Sequence, residues 1–334
     1  MKNTLALRAS LNHRSRPGVV SSAAMPLSAA NSLVAPIAAA VGLGLVALLR
    51  SVRRRRRPRA NTDLTQKARF RLFYWPGFPG RGEFIRLIFA ECATPYADVY
   101  RGMTFEAAAA ECYNAPDRFA VPALEDRLHV DPATGRPLAF SQTTVICAYL
   151  AAECGGGRLL PAGRADALRA AVLMADVADV MEEGCKAWHA LDYNAGYHEQ
   201  AAATQPFVDR FVEQRLPKWL AHFARKLAQN NATWKHRSDE AAEEDEAEED
   251  EEDNDGKNLF FAGAALSYAD LAVFHVLNGL RSETSAGGGC QRQYEALAAP
   301  ILRRFMRQVG RRKRIRAWLD SDACCAFTQT GPGF

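Results

Sequence analysis

The stretch LFYWPGFPGRGEFIRLIF, Leu72–Phe89, decides how the chain is read. Around its start, Phe70, Leu72 and Tyr74 alternate with Arg71 and Phe73, and aromatics are enriched. That is the pattern of a strand over Arg69–Trp75. From Gly82 the period changes: Phe84, Ile85, Ile88, Phe89 and Cys92 fall on one helical face. Between the two, Pro76 and Pro79 stiffen a loop, while Gly77, Gly80 and Gly82 permit close backbone approach. A tyrosine that ends a strand is thus held beside the start of a helix.

Further along, a short strand is expected near Tyr96–Tyr100 and a helix near Thr104–Tyr113. VPALEDRLHV reads as a strand opened by proline, DPATGRP as a hairpin turn and LAF as the return strand. QTTVICAYLAAE reads as a helix. The order β-α-β-α-β-β-α describes a small mixed α/β domain, 68–155. After the turn-rich CGGGRLLPAGR the strands stop. LRAAVLMADVADVMEEGCKAWHAL, FVDRFVEQRLPKWLAHFARKLAQ, SYADLAVFHVLNGL and APILRRFMRQVGRRKRIRAWL all carry helical periodicity, so 163–327 is expected to be all-α. In LSYADL, Ser267 is an N-cap, Asp270 can reach back to its amide, and Leu266 and Leu271 sit at staple positions.

The net charge of +4 hides three zones. Met1 to Asn61 holds eleven Lys or Arg and no acid; Asp239 to Asp255 holds thirteen acids and no base. Nucleic-acid binding does not follow from such a balance. The acidic run cannot bury apolar surface, and 236–257 reads as a disordered insert. It is either an inert tether or lies against Arg303, Arg304, Arg307, Arg311, Arg312, Lys313 and Arg314. The eight cysteines include no C-x-x-C pair and no zinc-like spacing with histidine, which fits a reducing compartment.

Residues 1–67 form a leader. No charge occurs between Pro17 and Leu49, and seventeen helical residues from Leu33 would span about 25 Å, near the lower limit for a bilayer crossing. RSVRRRRRPR follows at once, which is what a positive-inside anchor over 33–49 looks like. The folded part would then face the cytosol or an organelle stroma or matrix. The alternatives are a cleaved transit peptide, leaving a soluble protein in a chloroplast or mitochondrion, and a polyanion-binding arginine run.

Three stretches carry a family resemblance. YWPGFPGRGEFIRL resembles the first strand, loop and helix of tyrosine-type cytosolic glutathione S-transferases, as in the sigma, pi and alpha classes. VPALED followed by FSQTTVICAYL resembles their proline-containing strand and glutamine–serine turn. FFAGAALSYADLAVFHVL resembles their capped core helix. In register, the three cover about Arg69 to Phe327. The resemblance implies a thioredoxin-like domain followed by a helical domain, often a homodimer, with glutathione as co-substrate and no metal.

Under that resemblance Tyr74 is the catalytic hydroxyl that keeps the glutathione sulfur ionised, aided by the helix opening at Arg81. A cis Val121–Pro122 bond would turn the Val121 backbone toward the tripeptide. Gln142 and Thr143 would receive the γ-glutamyl carboxylate. Asp176 or Asp179 would meet the ligand's amino group, across a dimer interface where one forms. His189, Tyr193, Tyr197 and His198 are candidates for the electrophile pocket, and Tyr113 or Phe119 for a partner contact. This chain departs from the family in three ways. The Tyr74–Gly80 segment is one residue longer, threonine replaces serine at 143, and only Arg101 and Arg118 stand where the glycine carboxylate is often gripped. The competing reading is a non-catalytic, membrane-tethered scaffold of the same fold that binds protein partners; a channel-like relative ranks last, because PGRGEF has no cysteine.

Overall fold

β1 (Phe70–Phe73) leads through the proline–glycine loop into α1 (Gly80–Cys92), then β2 (Tyr96–Asp98), α2 (Phe105–Asn114), β3 (Ala123–Val130), β4 (Pro137–Ser141) and α3 (Thr143–Glu153). These spans come from a computed structural model, which describes residues 67–115, 120–192, 195–240 and 258–327. The sheet order is β2-β1-β3-β4, with β1 parallel to β2 and the other pairs antiparallel. Leu72 lies opposite Leu124 and Phe73 opposite Ala123.

Alternation along β1 assigns its two faces. Phe70, Leu72 and Tyr74 join the main core with Phe84, Ile85 and Ile88 of α1 and Ile146 and Leu150 of α3. Phe73 instead joins a smaller cluster with Tyr100 and with Ala108 and Cys112 of α2. Arg71, on an odd position beside Phe73, pairs with Glu125 of the neighbouring strand at 3.1 Å. The sheet is therefore covered on both faces, as a β-α-β crossover requires. The helix after the loop begins at Gly80, two residues before the change of sequence period, because Pro79 already has helical φ and ψ.

The helical part comprises α4 (Arg164–Trp188), α5 (Tyr197–Arg210), a π-turn at Phe211–Arg215 that runs into α6 (Leu216–Glu240), α7 (Tyr268–Ser282), α8 (Gly289–Leu297), α9 (Pro300–Arg311) and α10 (Lys313–Leu319). α7 is its axis: Tyr268 through Leu277 are all buried. A helix apolar nearly all round belongs in a core. The capping box at its start is formed, with the Ser267 amide donating to Asp270 Oδ2 at 2.8 Å and the Asp270 amide to Ser267 Oγ at 3.3 Å. Asp270 Oδ1 also accepts from the Phe261 amide at 2.8 Å, tying the preceding loop to the helix.

The α/β part and the helical part belong to one compact unit. α1 lies between sheet and α7 and is gripped at both ends by the chain's last segment. Near its start, Trp318 Nε1 donates to Glu83. At its end, buried Glu91 accepts from Arg312 at 2.7 Å and lies 3.5 Å from Arg158, while Arg314 donates to its carbonyl at 2.8 Å. Arg303 is bonded to the Ala298 carbonyl at 2.9 Å. Arg303, Arg312 and Arg314 thus each have a partner among the described residues. α6 continues through Glu240, so helix extends into the start of that run; 241–257 lie outside the described residues. So does the expected span at 33–49, and among the described residues no helix is long and apolar enough to cross a membrane.

Candidate functional site

Tyr74 follows directly on the end of β1, and the loop returns the chain so that α1 starts against its hydroxyl. The Arg81 amide donates to Tyr74 Oη at 2.7 Å. This closeness depends on two glycines. A β-carbon on Gly82 would stand 2.5 Å from the Tyr74 ring, and Gly80 is closer still to the hydroxyl, with φ of +38°. Burial pushes the Tyr74 phenol up to about 12, against the Arg81 amide and the Arg86 and Arg81 charges. At neutral pH the hydroxyl therefore keeps its proton. Its oxygen accepts from the Arg81 amide.

A buried polar framework fixes this loop. The Arg86 guanidinium donates to the carbonyls of Phe78 at 3.2 Å and Pro79 at 3.3 Å, and lies 5.6 Å from the Tyr74 ring centroid. Its Nε donates to Asp98 of β2 at 2.9 Å, and Glu83 stands 3.3 Å away. Burial raises the Glu83 carboxyl above its ordinary range, against the pull of Arg86. From α7, buried His275 lies with Nε2 3.0 Å from the Gly80 carbonyl.

The two other sequence-predicted stretches stand at the start of β3 and of α3. The Val121–Pro122 peptide is cis, Pro122 is buried, and Val121 precedes the β3 ladder. Between β4 and α3, Gln142 adopts φ 80°, ψ 111°, a conformation rare for a residue with a β-carbon. No side chain caps α3, so the amide end that begins at Thr143 is left without a side-chain acceptor. The Arg81 guanidinium reaches α4, lying 3.6 Å from Glu182, and its charge acts on Cys185 against burial, which pushes that thiol up.

Asp176 is not part of this group. It lies on the α4 side that meets α6, where His222 Nε2 is 2.9 Å away; Glu183, two turns on, pairs there with Arg215 at 2.6 Å. Arg118, Phe119 and Tyr193 lie outside the described residues. Arg101 donates to the Asp322 carbonyl at 3.1 Å. His189 Nδ1 lies 3.0 Å from the Ala195 carbonyl, Tyr197 is buried, His198 is exposed, and Tyr113 is exposed with its ring 6.4 Å from Trp75. Asp126, His129 and Glu153 cluster with metal-like spacing, but the Arg69 guanidinium sits between both carboxylates, 2.7 Å from Asp126 and 2.6 Å from Glu153.

Sequence reasoning missed Arg86, Glu182, Cys185 and His275. Two of these carry a signal: Arg86, one helical turn from Glu83 in an apolar helix, and His275 inside the otherwise apolar LAVFHVL.

A family model described as glutathione S-transferase, C-terminal domain, matches residues 246–322. No curated protein matches the chain by sequence. Among solved structures, the prostaglandin synthase D of Nilaparvata lugens is 17% identical with a TM-score of 0.52, over 75% of this chain and 97% of that one. A rat hPGDS complexed with a quinoline is 16% identical with a TM-score of 0.52, over 78% and 98%. The pi-class glutathione S-transferase of Onchocerca volvulus is 16% identical with a TM-score of 0.51, over 75% and 92%. The likeness to these structures shows the fold: a mixed sheet with helices, followed by a helical part, to whose end the matched C-terminal domain corresponds.

Proposed function

We propose that the protein is a glutathione transferase, or a glutathione-dependent isomerase or peroxidase, with Tyr74 as its catalytic hydroxyl. The observation that carries this reading is the Tyr74 phenol, which is held neutral and bonded through its oxygen to the Arg81 amide. A free cysteine thiol has a pKa of about 8.5. A hydroxyl donating to sulfur at the positive end of α1 favours the thiolate. The thiol proton passes to solvent, the sulfur's electron pair forms the new bond to the electrophilic atom, and the pair displaced there leaves with the leaving group or moves into the substrate.

The Val121 backbone and the Gln142–Thr143 helix start support the placement of an extended γ-glutamyl tripeptide beside Tyr74. Asp176 enters this reading only across a dimer interface, because within the chain it is engaged by His222. A homodimer is consistent with exposed Leu168 and Val172 on α4 and Val145 on α3. The leader is proposed as a membrane anchor, with the folded part facing the cytosol or an organelle interior; carbonate extraction of the full chain tests this, and a protein released to the supernatant is not anchored.

The ultraviolet thiolate band of glutathione bound to the full chain tests the proposal. Ionisation at about pH 6.5, reduced by Tyr74→Phe, supports it. Retention of glutathione without ionisation or turnover points to the scaffold of the same fold, and no retention at all overturns the reading.

A further inference from the structure

The Gly80–Arg81 peptide unit is bonded at both ends. Its N–H donates to Tyr74 Oη at 2.7 Å, and its carbonyl lies 3.0 Å from His275 Nε2. A carbonyl only accepts, so Nε2 carries the proton and His275 donates. We infer that His275 is a positioning residue for the glutathione chemistry: it fixes and polarises the one amide that the catalytic hydroxyl leans on. The inference rests on the reading of Tyr74 given above.

Three observations support it. First, the contact spans the chain, joining α7 to a residue 195 positions earlier, so it ties the second part of the fold to the hydroxyl of the first. Second, the imidazole is held by aromatic rings. The Phe84 ring meets it edge-on at 4.6 Å and the Phe327 ring stacks on it at 5.7 Å, which leaves little freedom to turn. Third, His275 stays a neutral donor at working pH, since burial, with the Arg86 charge, pushes it down to about 3 against the Gly80 bond.

The route is a row of hydrogen bonds. His275 Nε2–H donates to the Gly80 carbonyl, the Arg81 N–H donates to Tyr74 Oη, and the Tyr74 hydroxyl donates to sulfur. Donating to an amide carbonyl makes the same amide's N–H a better donor, and such chains strengthen each link. No atom in the row changes bonding partner when thiol becomes thiolate; each is preset. Without His275, the carbonyl at the start of α1 loses its buried partner, and the amide is free to tilt away from Oη.

The test is a double-mutant cycle on the full chain, read as the pKa of bound glutathione by thiolate absorbance, with glutathione itself as probe. His275→Leu is expected to raise that pKa by roughly half a unit to one unit while the glutathione Kd stays within about twofold. His275→Gln, which keeps an N–H donor, is expected to recover most of the shift. In a Tyr74→Phe background His275→Leu should add nothing, because its route to sulfur is gone. A wild-type pKa in His275→Leu, or the same shift with and without the tyrosine, overturns the inference while leaving the Tyr74 reading intact. Should His275→Leu fail to fold, His275→Asn, whose amide is too short to reach Gly80, takes its place with the same expectations. Wild-type protein that binds glutathione without ionising it defeats the Tyr74 reading itself, and this inference with it.

Discussion

Gly80 lies so close to Tyr74 that a β-carbon on it would stand 2.1 Å from the phenolic oxygen. The hydroxyl occupies the space where a side chain would otherwise be. Gly80→Ala is therefore expected to expel the tyrosine from its place against α1, and alanine at a φ of +38° adds strain. The cost should be about 1–3 kcal/mol in urea unfolding, with a loss of bound-thiol ionisation comparable to Tyr74→Phe. A variant that ionises glutathione like the wild type would show that Tyr74 needs no such approach.

His275 imposes an acid limit. Its native pKa, about 3, lies below the ordinary value of 6.5. Its contribution to stability is thus fully present above about pH 6.5 and is lost as pH falls through the window toward 3, at up to about 1.4 kcal/mol per pH unit. His275→Gln removes that dependence. The stability gap between wild type and variant should be flat above about pH 7 and shrink below about pH 6. Urea midpoints at several pH values check this, and a gap that stays constant on acidification refutes it.

The Ser267 cap should be worth about 1 kcal/mol, and more here because its amide and hydroxyl both serve Asp270 inside the core. Ser267→Ala is expected to lower the unfolding midpoint without changing glutathione affinity. Burial raises the Asp270 carboxyl to about 6 from 3.8. That raised value contributes stability below about pH 4 which is lost as pH rises through 6, opposite in sign to His275. The Ser267→Ala comparison therefore belongs near pH 8, more than a unit above both the Asp270 value of about 6 and the ordinary histidine value of 6.5.

Glu91 is a buried acceptor for cations from two directions. Arg158 and Arg312 are themselves about 40% exposed, so water compensates part of any loss. Glu91→Ala should cost about 1–2 kcal/mol, less than a fully buried pair would. Adding Arg312→Ala should cost little more, since the two changes remove one interaction. Additive costs from a chemical-denaturation cycle would dissolve the proposed pairing.

Much of the architecture was readable because it rests on local rules. The alternation of Phe70, Leu72 and Tyr74 assigned the faces of β1, and the box at Ser267 and Asp270 announced the start of α7. The loop's prolines and glycines pointed to Tyr74 before any contact was known. What escaped is long-range. His275 meets Gly80 across 195 positions, and Asp176 turns toward His222 because of how α4 rolls against α6. α5 begins at Tyr197, well ahead of the apolar run from Phe207; within YHEQAAATQP only Tyr197, Gln200 and Thr204 are buried, and a proline stands at 206. Its stripe is too polar to stand out.

The grip of the last segment on α1 has a consequence for the order of synthesis. Trp318, Arg312 and Arg314 leave the ribosome more than two hundred residues after the helix they hold. The tyrosine's helix is thus translated early and clamped last. A nascent or prematurely ended chain that stops before Arg312 has every residue of the sheet and its loop, yet leaves Glu83 and Glu91 without these partners.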